Sequence, residues 1–178
     1  MNDLRTRRMA LGLAVATSLA AGAASLALNA QDQSGGQSSA NMQVNANVVR
    51  KCTITAQPLA FGSYDPVQAN ATAPLDGQAT LTVACTKGTA VNIAMDAGAN
   101  AQGQTRRMTS GGSDFLLYEA YKDSGRTLRW GDGDGDRYDA GVAPSRDPRQ
   151  FIVYGRVPGS QDVPEGAFQD TILVTVQF

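Results

Sequence analysis

Asn41 to Cys52 reads N-M-Q-V-N-A-N-V-V-R-K-C, and its alternation constrains the fold more than any other stretch. Met42, Val44, Ala46 and Val48 share one parity, while Gln43, Asn45 and Asn47 share the other. Successive side chains on a strand point to opposite sides, so a period of two specifies an extended strand with one apolar face. Its place is unusual. It stands between a polar leader and the first cysteine, ahead of a stretch that already reads as a full series of strands. Such a strand either pairs with its own domain or is offered to another molecule.

The residues ahead of it fall into two parts. Met1 to Arg8 carries Arg5, Arg7 and Arg8, and Met9 to Leu28 is apolar or small throughout. That order predicts a secretory signal peptide over 1–30, cleaved after Ala27 or Ala30. An uncleaved membrane anchor is the alternative, since the run approaches the length of a spanning helix. Gln31 to Ala40 is polar and rich in Gly and Ser, which predicts a flexible tether over 31–41. The strand over 42–49 then rides on a mobile arm, with the domain proper over 50–178.

Several function classes drop out early. Removing residues 1–30 takes away three arginines and one aspartate from totals of 15 basic and 16 acidic, leaving a formal charge of −3. Nucleic-acid binding calls for a clustered basic excess, and none is present. Cys52 and Cys85 are the only cysteines, and in an exported chain they most simply form one disulfide. There is no histidine. The Ser-His-Asp and Cys-His nucleophile systems and histidine-based zinc sites are thereby excluded, and no cofactor is implied. Carboxylate catalysis is left without a second acidic cluster to support it.

From Cys52 onward short strands follow one another. Gln78 to Cys85 alternates, Val91, Ile93 and Met95 form the next strand, and Lys87-Gly88 supplies the turn between them. A short strand is expected over 106–110, and another over 114–122, with D-S-G-R at 123–126 turning back into T-L-R-W. Phe151 to Arg156 makes a further strand. The last has the cleanest pattern: Phe168, Asp170, Ile172, Val174, Val176 and Phe178 share one face. Many short strands at this spacing, with no convincing helix, predict an all-β sandwich. A final strand with no further strand beside it is expected to leave an edge and a groove open, which invites pairing with another chain.

The motifs come in a set order: C-x-I at 52–54, F-G-x-Y at 61–64, A-C-T at 84–86, R-x-M at 106–108, L-x-Y-x-x-Y at 116–121. W-G-D-G at 130–133, V-Y-G-R at 153–156, Gln161 with Gly166, and D-x-x-x-V-T-V-x-F at 170–178 continue it. Over residues 42–178 this order resembles the spore coat protein U domain family, which includes pilins of archaic chaperone–usher pili. The likeness is to the major, rod-forming type of subunit. It implies an incomplete immunoglobulin-like sandwich completed by donor-strand exchange. The implied partners are identical or related pilin subunits, a periplasmic chaperone and an outer-membrane usher, and the implied location is a surface pilus that supports adhesion and biofilm formation. Met42, Val44, Ala46 and Val48 would be the inserted side chains, and Ile172, Val174 and Val176 would line the acceptor groove. Cys52 and Cys85 match the family's disulfide positions.

Two other readings stay open. One is a self-complete secreted sandwich that uses residues 42–48 as its own edge strand, in a coat or matrix role. The other is a calcium- or carbohydrate-binding module. Asp132, Asp134 and Asp136 alternate on a Gly-rich loop, as calcium ligands do, but Arg137 stands where an EF-hand needs glycine and Ala143 where it needs a bidentate acid. Arg137, Arg146 and Arg149 are near enough in sequence to neutralise those acids. Trp130, Tyr118, Tyr121 and Tyr154 are expected in the core rather than on a sugar platform. Arg106-Arg107 is expected as a solvated surface pair.

Overall fold

A computed structural model describes residues 36–178. The expected signal peptide and the start of the expected tether lie outside the described residues. The chain divides after Val44. Residues 36–44 are exposed and carry no strand, and neither do residues 45–51. The alternating segment over 42–49 therefore forms no strand within its own chain. Its apolar row stands in solvent, with Met42 85%, Val44 83% and Val48 81% exposed.

The unit from Asn45 onward holds nine strands. They are β1 (Cys52–Ala56), β2 (Leu75–Cys85), β3 (Ala90–Met95), β4 (Arg107–Thr109), β5 (Phe115–Leu117), β6 (Glu119–Tyr121), β7 (Tyr138–Val142), β8 (Arg149–Val157) and β9 (Val174–Gln177). One sheet has the order β1-β2-β8-β6 and a second β7-β3-β9, while β4 and β5 make a two-stranded ribbon. Every pairing is antiparallel. No helix occurs among the described residues. This is an all-β sandwich of the immunoglobulin-like kind, and its sheets do not close on one another.

Period-two patterning builds the core. Ala79, Leu81, Val83 and Cys85 of β2 face Val91, Ile93 and Met95 of β3, with Ala120, Val153 and Trp130 in the same buried cluster. Trp130 is fully buried; its indole N–H donates to the Ile93 carbonyl at 2.9 Å, and its ring lies 4.9 Å from that of Tyr138. A buried indole needs such a partner. The disulfide Cys52–Cys85 ties the first residue of β1 to the last of β2.

Two expectations are corrected. The strand expected over 114–122 is two strands: β5 pairs with β4, β6 pairs with β8, and the chain changes sheet at Tyr118. The regular part of the last strand is confined to 174–177, although Gln169 still bridges Thr109. β7 was not foreseen: its sequence carries no clean alternation, and a bulge interrupts its register with β3 between Val91 and Asn92.

Candidate functional site: an open groove between two edge strands

Among the described residues β1 pairs only with β2, and β9 only with β3. In an antiparallel ladder alternate residues turn both N–H and C=O to the same neighbour. Thr86 donates its N–H to Lys51, and Gln57 donates to Thr80, so the odd residues of this stretch face β2. Cys52, Ile54 and Ala56 are left facing the open side. The opposite wall repeats this. Asp96 N–H donates to the Leu173 carbonyl and Ala99 N–H to that of Thr171, so Ile172, Val174 and Val176 turn their backbone groups outward. The same residues point their side chains inward, where Ile54, Ile172, Val174 and Val176 pack against the core. The molecule thus has two unpaired main-chain edges with an apolar trough between them.

That trough is hollow. One cavity of about 440 Å³ lies beneath Ala56, Leu59, Ile172 and Val174, with Leu81, Met95 and Val153 at its floor. A second of about 630 Å³ continues past Tyr64, Leu75 and Val157 to the loop over 163–168. Leu59, Phe61, Met108 and Phe168 line both, so the two hollows lie side by side. Ile172 and Val174 line the first cavity, whereas Val176 lies outside it and packs on the core farther along. Leu59, Phe61 and Met108 were not foreseen. Phe168 shares the parity of Ile172 and Val174, which was the signal available for it.

The groove has a flat wall for a reason legible in the register. Gly77 of β2 and Gly155 of β8 are cross-strand partners, and the Phe61 ring lies on that pair. A Cβ at Gly155 would meet Leu59 and the Phe61 ring at 2.8 Å. Only glycine admits so close an approach.

Polar residues interrupt this lining at Gln57, Tyr118, Gln169, Asp170 and Thr171. The Tyr118 hydroxyl donates to Asp170 Oδ2 at 2.7 Å, and the other carboxylate oxygen accepts from the Asn100 backbone N–H at 3.0 Å and side-chain amide at 2.9 Å. Burial, aided by the Asp170 hydrogen bond, pushes the Tyr118 phenol well above its ordinary value. The groove therefore presents a neutral phenol.

Beneath the groove lies a charged network that the sequence did not reveal. Arg106 is fully buried, not a solvated surface residue. Its guanidinium donates to the carbonyls of Met95, Asp96 and Trp130 and pairs with Glu119. Glu119 also holds Arg129 at 2.9 Å, and Arg129 reaches Asp136 at 3.2 Å. Arg107 does lie nearer the surface, stacked 3.8 Å over Phe115. The chain is charged here because five-donor guanidinium geometry can satisfy several converging carbonyls at once.

The acidic loop does not assemble a cation site. Asp134 pairs with Arg137 and Asp136 with Arg129, while Arg137 also donates to the Asp132 carbonyl. Among the described residues no group of three or more acidic or cysteine side chains converges. Of the arginines expected to neutralise the loop, Arg137 does so, but Arg149 turns away to the Ala140 carbonyl. The aromatic set divides. Trp130 and Tyr118 are buried, whereas Tyr121 and Tyr154 are cross-strand partners, half-buried on the outer face of their sheet.

Residues 38–175 match the family described as Spore Coat Protein U domain. The chain is 35% identical over 153 residues to Protein U of Myxococcus xanthus, covering 78% of this chain and 84% of that one. It is also similar to a chain in the crystal structure of the CsuC–CsuE chaperone–tip adhesion subunit pre-assembly complex from archaic chaperone–usher Csu pili of Acinetobacter baumannii. That match has a TM-score of 0.54 and 25% identity, and covers 74% of this chain. This chain spans 40% of the length of that one.

Proposed function

The chain belongs to the Spore Coat Protein U domain family, and we propose that it is a structural subunit of a surface pilus, assembled by donor-strand exchange and without catalytic activity. The observation that carries the reading is the pair of unpaired edges at Cys52–Ala56 and 172–176 flanking an apolar groove. A segment of matching chemistry stands free in the same chain. Met42, Val44, Ala46 and Val48 of one copy enter the groove of the next, and their backbone completes the ladders on both walls. Burying Met and two Val contributes about 5–9 kcal/mol before ordering costs. With a ladder of hydrogen bonds added, dissociation is slow. A periplasmic chaperone occupies the groove first, and an outer-membrane usher exchanges it for the next subunit. The likeness to a chain in a chaperone–tip adhesion subunit pre-assembly complex supports the chaperone step. The fibre reaches the cell surface and serves adhesion and biofilm formation.

The test compares denaturant unfolding of residues 49–178 with the same body carrying residues 41–49 after Phe178 on a short flexible linker. A gain of several kcal/mol from the graft supports an acceptor groove. A body already stable alone, and indifferent to the graft, would sink the reading and leave a free-standing secreted sandwich in its place.

A further inference from the structure

We propose that Thr86 clamps the root of the donor arm to the body, so that successive subunits meet at a joint with no slack. The inference rests on the donor-strand reading and concerns how joined subunits are oriented. Four contacts converge on this residue. The Thr86 N–H donates to the Lys51 carbonyl at 2.9 Å, the Lys51 N–H donates to Thr86 Oγ1 at 3.0 Å, and the single hydroxyl proton of Thr86 has the Val49 carbonyl at 3.1 Å as its nearer acceptor and the Lys51 carbonyl at 3.3 Å as its farther one. Thr86 follows Cys85 directly, and the disulfide to Cys52 anchors the same two strands one residue farther in. The β1–β2 ladder is thereby extended by one pair, and the hydroxyl reaches two residues beyond it.

The spacing gives the clamp its consequence. Val48 is the last side chain of the alternating row that enters the neighbouring subunit. Val49 is already held to its own body. No free residue separates the two attachments, so the neighbour's groove and this subunit's β1 are linked through a single backbone junction. A chain with two soft dihedrals per residue retains little freedom across so short a link. A free linker would instead let subunits swing, since reach and mobility grow with its length. The partner is a second copy of this chain or a related subunit, and the hydroxyl of Thr86 is a positioning group for it.

Fibres assembled from the full mature chain provide the test, read by electron microscopy as helical order and persistence length. Thr86→Val keeps the shape and loses the hydroxyl, and is expected to reduce persistence length several-fold. Thr86→Ser keeps the hydroxyl and is expected to match the parent. Inserting Gly-Ser between Val48 and Val49 leaves the body untouched and is expected to loosen the fibre as Thr86→Val does. Fibres of Thr86→Val as ordered as the parent overturn the clamp. If Thr86→Val also weakens the isolated subunit, the insertion decides: order retained there overturns the proposal, and order lost upholds it. A parent chain that forms no fibres when co-expressed with its chaperone and usher refutes donor-strand exchange itself, and the clamp with it, an outcome distinct from fibres whose order ignores Thr86.

Discussion

Tyr118 and Asp170 lie 52 residues apart in the chain, yet the phenol donates to the carboxylate at 2.7 Å in the wall of the groove. The bond joins the point where the chain changes sheet to the segment that forms one edge. Because the folded state holds the phenol above its ordinary value, its contribution to stability is complete below the unfolded tyrosine pKa of about 10. Above that pH the unfolded chain ionises first and stability falls. Tyr121, also raised by burial, acts in the same direction. Tyr118→Phe is expected to cost about 1–3 kcal/mol at neutral pH by depriving Asp170 of a donor. Urea unfolding from pH 8 to 11 should show a shallower alkaline decline in that variant than in the parent.

Arg106 serves three carbonyls and Glu119 from a fully buried position. Arg106→Ala takes this donor from the three carbonyls, leaves Glu119 with Arg129 and the Ala120 N–H, and is expected to destabilise the fold by about 3–5 kcal/mol. Arg106→Lys should recover only part, since an ammonium cannot reproduce the guanidinium fork. Thermal unfolding distinguishes this from a surface arginine, whose loss would shift stability by no more than about 0.5 kcal/mol.

Val44 and Val48 stand in solvent in the isolated chain. Val44→Asp and Val48→Asp are therefore expected to change the subunit's own unfolding free energy by less than about 0.5 kcal/mol. The same changes place a carboxylate in an apolar groove on assembly, which is costly. Fibre yield should collapse while the unfolding curve stays put, and sedimentation beside chemical denaturation reads both.

Gly155→Ala adds a Cβ that meets Leu59 and the Phe61 ring at 2.8 Å. The ring must move toward the groove, and overpacking of this kind costs about 1–3 kcal/mol. Binding of a peptide spanning residues 41–49, followed by fluorescence anisotropy, should weaken. An unchanged affinity would mean that Phe61 does not border the occupied part of the groove.

Local pattern made much of this protein legible beforehand. The alternation in β2, β3, β8 and 174–177 depends only on the opposite facing of successive side chains, so strands and their inward rows follow from neighbouring residues. The inward row of Ile172 and Val174 followed on the same ground, while their assignment to a groove came only from the family resemblance; Cys52 with Cys85 followed by arithmetic. The 42–49 segment shows where such reasoning stops. Its alternation specifies a strand, but a strand forms only where an edge receives it, and in its own chain these residues carry none. The break at Tyr118 was likewise invisible, because the composition of 114–122 is continuous and the change of sheet is imposed by β4 on one side and β8 on the other. Arg106 beside Arg107 looks like a surface pair in sequence. Full burial of one and only partial burial of the other depends on the convergence of the Met95, Asp96 and Trp130 carbonyls, groups separated by up to 35 positions. Side-chain periodicity along a strand was thus settled by sequence alone; the second open edge at β1, the residues that wall the groove and the buried charge required the tertiary fold, because each is made by groups that meet only across it.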